Sequence, residues 1–131
     1  MNTPAKILLI EDNSEQIDLI TILSSHYDCQ IEVGKSIDDF HSLIEKNDFE
    51  LMICDLNLQY QLEGIDILKS YKQNKLTAKI YAYTSYSAED TFFLEQGFDG
   101  VIKKNFTELR ELFNQLFVNI KPYPITNTIC A

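Results

Sequence analysis

Leu51-Met52-Ile53-Cys54-Asp55 is a run of four apolar side chains closed by an acid. A strand with one wet face alternates apolar and polar residues, whereas a strand covered on both faces reads as an unbroken apolar run. Double burial of a short strand points to a parallel sheet, because crossover connections lay helices on both faces. Two more stretches repeat the pattern: Ile7-Leu8-Leu9-Ile10 closes on Glu11-Asp12, and Ile80-Tyr81-Ala82-Tyr83 closes on Thr84-Ser85. A short last strand, Gly100-Val101-Ile102-Lys103, runs into Lys104. Ile31 and Val33 alternate with polar neighbours, as in a strand near an edge.

Between the strands the apolar spacing becomes helical. Asn13 or Ser14 is a fair cap for a helix carrying Ile17, Ile20, Leu23 and Tyr27. Ser36 can cap a second helix with Ile37, Phe40 and Ile44 on one face. The polar stretch from Asp55 to Gly64 reads as a loop, followed by a helix with Ile67, Leu68 and Tyr71. Ala88 to Gln96 forms a short helix stopped by Gly97. Asn105 or Thr107 opens the last helix, with Leu109, Leu112, Phe113, Leu116, Phe117 and Ile120 on one face. Five strands alternating with five helices predict an α/β fold with a parallel sheet between two helical layers.

The bulk numbers agree with one folded domain. The chain has 131 residues, 45% of them hydrophobic and 24% charged, enough for a single core. Residues 1–121 are expected to form the domain, and 122–131, with two of the three prolines, a mobile tail with no output domain. The formal charge is −9 and the basic residues are scattered, apart from Lys103-Lys104, which disfavours direct nucleic-acid binding. Cys29, Cys54 and Cys130 fit no metal-ligand spacing, and Cys54 reads as a small buried residue. No signal-peptide core and no apolar run of spanning length occur, so a cytoplasmic location without membrane insertion is expected. His26 and His41 are expected at the surface, and Tyr60, Tyr83 and Tyr86 near the strand ends, where they would face a partner.

In an open parallel sheet, ligands bind at the carboxyl ends of the strands, beside the point where strand order reverses. The residues expected there are Glu11, Asp12, Asp55, Thr84, Ser85 and Lys104, with Asn57 two places beyond Asp55. Each has an ordinary reading as a helix-dipole acid, turn residue, strand end or solvated lysine, but four such coincidences would have to meet at one end of the sheet. Crowded carboxylates repel one another, and a Mg²⁺ ion relieves that repulsion with oxygen ligands. With a cation present, a carboxylate can attack an anionic phosphoryl group. Lys104 can pair with a carboxylate or a phosphoryl oxygen, the Thr84 hydroxyl can donate to another oxygen, and small Ser85 leaves access open.

These residues resemble the active site of bacterial two-component response-regulator receiver domains. The resemblance spans about residues 5–120 and rests on four strings: Lys6 to Asp12, Met52 to Leu58, Tyr83 to Ser85, and Gly97 to Phe106. It implies a flavodoxin-like five-stranded parallel sheet in the order 2-1-3-4-5. It further implies Asp55 as phosphoacceptor, Asp12 as a direct Mg²⁺ ligand, and Glu11 acting through a metal-bound water. The Asn57 carbonyl would be another ligand, Thr84 the switch hydroxyl, and Lys104 the active-site lysine. Three departures stand out. Asn105 replaces a proline usually joined to the lysine by a cis bond, Val101 replaces a common aromatic, and the loop from Asp55 to Gly64 is one residue longer than usual, with Gln59 where a proline is common.

By the same resemblance, the phosphoryl donor is a sensor histidine kinase or a histidine phosphotransfer protein, and the output is a downstream effector bound in trans. Phosphoryl acceptance and autodephosphorylation would be the only chemistry, and the partner set leaves room for a weak homodimer. Two other classes compete. A phosphohydrolase of the haloacid-dehalogenase type needs its nucleophile on the first strand and an acid two residues later, where this chain has Asn57. A degenerate receiver would act as a phosphorylation-independent interaction module; the intact Glu11-Asp12, Asp55, Thr84 and Lys104 argue against it, while Asn105 and Val101 keep it open.

Overall fold

The computed structural model describes residues 4–46, 48–56, 63–74, 77–85 and 90–117. The elements alternate throughout: β1 (Ala5–Ile10), α1 (Ser14–Ser24), β2 (Cys29–Gly34), α2 (Ile37–Lys46) and β3 (Leu51–Asp55). They continue with α3 (Glu63–Gln73), β4 (Lys79–Thr84), α4 (Asp90–Gln96), β5 (Gly100–Lys103) and α5 (Phe106–Leu116). All strand pairs are parallel, in the order β2-β1-β3-β4-β5, so the order reverses between β1 and β3. The register sets Ile10 beside Cys54, Asp55 beside Tyr83, and Thr84 beside Lys103, which brings the strand ends to one rim.

Successive strand residues face opposite ways, so each unbroken apolar run feeds two cores. Leu8, Ile10, Met52, Cys54, Ile80 and Ala82 pack with Phe40, Ile67, Leu68, Tyr71 and Phe93, from α2, α3 and α4. Ile7, Leu9, Leu51, Ile53, Tyr83 and Ile102 pack on the other face with Ile20, Leu23, Leu109, Leu112 and Phe113, from α1 and α5. Strand β3 is buried at all five positions, and β2 is an edge strand with mostly half-buried residues.

Local chemistry fixes the helix starts. Asn13 caps α1, its Oδ1 accepting from Gln16 N at 3.1 Å. Ser36 Oγ accepts from Asp39 N at 3.2 Å ahead of α2, while Asp39 Oδ2 accepts from Lys35 N at 2.7 Å. Asn105 caps α5 in the same way, accepting from Glu108 N at 2.9 Å. Gly97, at φ 115°, ends α4 in the left-handed region that glycine tolerates.

The helix ends depart from expectation. Helix α1 stops at Ser24, so Tyr27 lies beyond it. Tyr27 is nevertheless buried, with its ring 5.5 Å from Phe113 and its hydroxyl donating to Asn114 Oδ1 at 2.6 Å. The same turn folds His26 inward, so this histidine is buried rather than exposed at the surface. Helix α5 ends at Leu116, short of the expected Ile120, which lies outside the described residues. Phe117 turns extended there (φ −130°, ψ 156°) and keeps its ring 5.4 Å from Phe113. Helix α3 starts at Glu63, one residue before the expected loop end. Residues 86–89, with the expected start of the fourth helix, and the tail 122–131 lie outside the described residues.

Gly64 brings the start of α3 close against the end of β3. A Cβ there would sit 2.5 Å from the Asp55 carbonyl oxygen and 2.8 Å from Leu56 Cα, both backbone atoms with no rotamer to change. Gly64 N also donates to Leu56 O at 3.0 Å. Gly64→Ala is therefore expected to destabilise the fold by about 1–3 kcal/mol, the usual cost of overpacking. Urea unfolding measures this, and an unchanged midpoint would contradict the contact.

Candidate functional site

Four strands deliver the site. Glu11 follows β1 and is fully buried; its N–H donates to Gly34 O at 2.9 Å, tying the end of β1 to the end of β2. Asp12 is exposed beside it. Asp55 ends β3 and is 5% exposed, Thr84 ends β4 and is buried, and Ser85 is exposed on the rim. Lys104 follows β5, its N–H donating to Thr84 O at 2.9 Å. These six residues and Asn13 line one pocket of about 260 Å³. Asn57 lies outside the described residues, as do Tyr60 and Tyr86.

Negative charge gathers in the pocket, and Lys104 stands against it. Lys104 Nζ lies 3.0 Å from Glu11 Oε1 and 3.3 Å from Asp55 Oδ2, bridging two carboxylates. Glu11 Oε2 accepts from Asn13 N at 3.2 Å, whereas Oε1 is held by its ion pair with Lys104. Burial, then the Asp55 charge, push the Glu11 carboxyl up to about 7, with Lys104 opposing both. The Lys103 backbone N–H donates to Glu108 Oε1 at 2.9 Å.

A cation fits this donor set. One oxygen from each of Glu11, Asp12 and Asp55 lies within 4.8 Å of the other two. Oxygens around an octahedral Mg²⁺ stand about 3 Å apart when adjacent and about 4.2 Å apart when opposite. Small side-chain adjustments therefore bring the three into ligand spacing, and buried Glu11 Oε1 has acceptor capacity beyond its ion pair with Lys104.

The structure decides between alternatives that the sequence left open at Lys104–Asn105 and at the start of α5. No cis bond occurs among the described residues, so Lys104–Asn105 is trans. Asn105 has become the α5 cap, and Glu108 answers it: Asn105 Nδ2 donates to Glu108 Oε2 at 3.3 Å. The Asn105-x-x-Glu108 spacing was a legible signal for this reciprocal cap. Tyr83 does not face a partner. It is fully buried in the layer formed by α1 and α5, and its hydroxyl donates to Gln16 Oε1. Val101 packs against the layer formed by α2, α3 and α4.

Comparison with known proteins gives a consistent picture. The family model described as response regulator receiver domain matches residues 7–117. The transcriptional regulatory protein ComA of Bacillus subtilis is 30% identical over 121 residues, covering 88% of this chain and 55% of its own length. The autoinducer 2 sensor kinase/phosphatase LuxQ of Vibrio parahaemolyticus is 29% identical over 119 residues, covering 88% of this chain but 14% of its own. The chain thus spans about half of one relative and a small part of the other. The chemotaxis response regulator CheY4 of Vibrio cholerae superposes with a TM-score of 0.74 at 18% identity, covering 86% of this chain and 98% of that one. Among the described residues, no helix is long and apolar enough to cross a membrane.

The buried Glu11–Lys104 pair is testable without any ligand. Lys104→Met leaves a buried carboxylate without its cation, whereas adding Glu11→Gln removes the charge that needed it. A double-mutant cycle by urea unfolding is expected to give a coupling of about 1–3 kcal/mol. Simple additivity would contradict the bridge.

Proposed function

The chain belongs to the response regulator receiver domain family, and from that premise we propose that Asp55 accepts a phosphoryl group. The observation that carries the reading is the meeting of Asp55, two further carboxylates, a hydroxyl and an ammonium in one pocket at the strand ends. An Asp55 carboxylate oxygen attacks phosphorus and forms an acyl phosphate, while the bond from phosphorus to the donor's leaving atom breaks and its electron pair departs with that atom. Lys104, already beside Asp55, neutralises charge on the acceptor and then on the phosphoryl oxygens. The Thr84 hydroxyl donates to another phosphoryl oxygen, and exposed Ser85 leaves the approach open. Bound Mg²⁺, held by Glu11, Asp12, Asp55 and the Asn57 carbonyl, would supply charge neutralisation and orientation.

The donor in this reading is a sensor histidine kinase or a histidine phosphotransfer protein, and the output is an effector that binds in trans. Phosphorylation shifts a pre-existing equilibrium of the surface formed by α4, β5 and α5. That the relatives include a sensor kinase and a transcriptional regulator supports a shared receiving module with different outputs.

Incubation with acetyl phosphate is expected to add one phosphoryl group, about 80 Da by intact mass, only when Mg²⁺ is present and not in Asp55→Asn. Mg²⁺ at about tenfold its dissociation constant is also expected to stabilise the protein by about 1.4 kcal/mol, and Asp12→Asn to lose most of that gain. Absence of an adduct, together with no trapping by beryllofluoride, would overturn the phosphoacceptor reading in favour of a phosphorylation-independent interaction module.

A further inference from the structure

Lys104 is held from two sides. Glu11 Oε1 and Asp55 Oδ2 lie 3.0 and 3.3 Å from its Nζ, and the Tyr83 ring centroid lies 5.2 Å from the same nitrogen. That separation is within the roughly 6 Å over which a ring quadrupole attracts an ammonium. The lysine side chain is 15% exposed and the tyrosine is fully buried, so little water screens the contact. Lysine reaches this position on a flexible four-carbon stem, so its ammonium is only as well placed as its surroundings make it.

The ring is itself anchored. Tyr83 donates its hydroxyl to Gln16 Oε1 on the first turns of α1, and Gln16 N donates to Asn13 Oδ1 at 3.1 Å. Asn13 N in turn donates to Glu11 Oε2 at 3.2 Å, and Glu11 Oε1 returns to Lys104. The contacts close a circuit around the acidic pocket: Glu11, Asn13, Gln16, Tyr83, Lys104. The circuit joins β1, α1, β4 and the end of β5, and Asp12 sits inside it between Glu11 and Asn13. A residue that only filled the core at position 83 would need no hydroxyl, and a buried hydroxyl is costly unless it has a partner.

We propose that Tyr83 is a positioning residue for phosphoryl acceptance: its ring face fixes the Lys104 ammonium between Glu11 and Asp55, and its hydroxyl bond to Gln16 holds the ring against α1. The proposal rests on the reading of Asp55 as phosphoacceptor. It extends the site to two residues, Tyr83 and Gln16, that do not line the acidic pocket.

The test separates the ring from the hydroxyl, and both from the function reading. Tyr83→Leu removes the ring face, whereas Tyr83→Phe keeps it and loses only the bond to Gln16. In the metal-free, unphosphorylated protein, the Lys104 ε-methylene NMR signals, assigned with Lys104→Arg, are expected upfield of the other lysines because of the ring current. They are expected to stay there in Tyr83→Phe and to return to the ordinary lysine position in Tyr83→Leu. With acetyl phosphate and Mg²⁺, well below the melting temperature, the acceptance rate is expected to fall about tenfold or more in Tyr83→Leu, as misplacement of a charge-stabilising group does. Tyr83→Phe is expected to stay within about threefold of wild type, since the ring contributes most to placing the lysine. Lys104 signals that ignore Tyr83→Leu would overturn the proposal, and so would a shifted signal with an unchanged rate. If the wild type accepts no phosphoryl group while its Lys104 signals still respond to Tyr83→Leu, the contact is real but the function reading has failed, and the positioning role falls with it.

Discussion

Three carboxylates converge at one end of the sheet, and the Lys104 ammonium stands against two of them. Glu11 is fully buried and Asp55 nearly so, and Lys104 contacts both. Burial and like charge raise the cost of keeping Glu11 ionised, and Lys104 offsets only part of it. A fold assembled for stability alone would place apolar residues here. Under the proposed function, a divalent cation and then a phosphoryl group would change this balance of charge.

The scaffold imposes this crowding. Parallel pairing in the order β2-β1-β3-β4-β5 puts β1 and β3 side by side at the reversal point, so their terminal acids cannot separate. The backbone of Gly64 presses against Asp55 and Leu56, fixing the start of α3 under the strand end. On the far side, Asn105 and Glu108 cap α5, and Glu108 also holds the Lys103 N–H, so the chain leaves β5 with Lys104 directed into the pocket. A trans Lys104–Asn105 bond serves here, with the asparagine supplying a helix cap that a proline side chain could not.

Much of this was legible in the sequence, for reasons that vary by element. The central strands announced themselves because two-sided burial leaves no polar position in Leu51 to Cys54 or Ile7 to Ile10. The site residues were legible because parallel strands put their functional groups at their ends, and strand ends can be read where the apolar run stops. Helix starts followed from Asn13, Ser36 and Asn105. The end of α5 did not, because no glycine or proline marks it and Phe117 stays in the apolar core after the backbone has turned extended. The burial of His26 has no local signal for a related reason: it lies in the turn after Ser24 beside Tyr27, which packs on Phe113 from a distant part of the chain. The Tyr83–Gln16 bond joins residues 67 apart, and no local pattern foretells it.

The central claim is that Asp55, among all the carboxylates of this acidic chain, is the one that takes the phosphoryl group. Borohydride reduction tests it most directly, because an acyl phosphate is cleaved to the alcohol and so turns the acceptor aspartate into homoserine. After reaction with acetyl phosphate and Mg²⁺, then reduction and peptide sequencing by mass spectrometry, the account predicts homoserine at position 55 and nowhere else. Homoserine at another position, or none at all in a sample that carries the added phosphoryl mass, would contradict it.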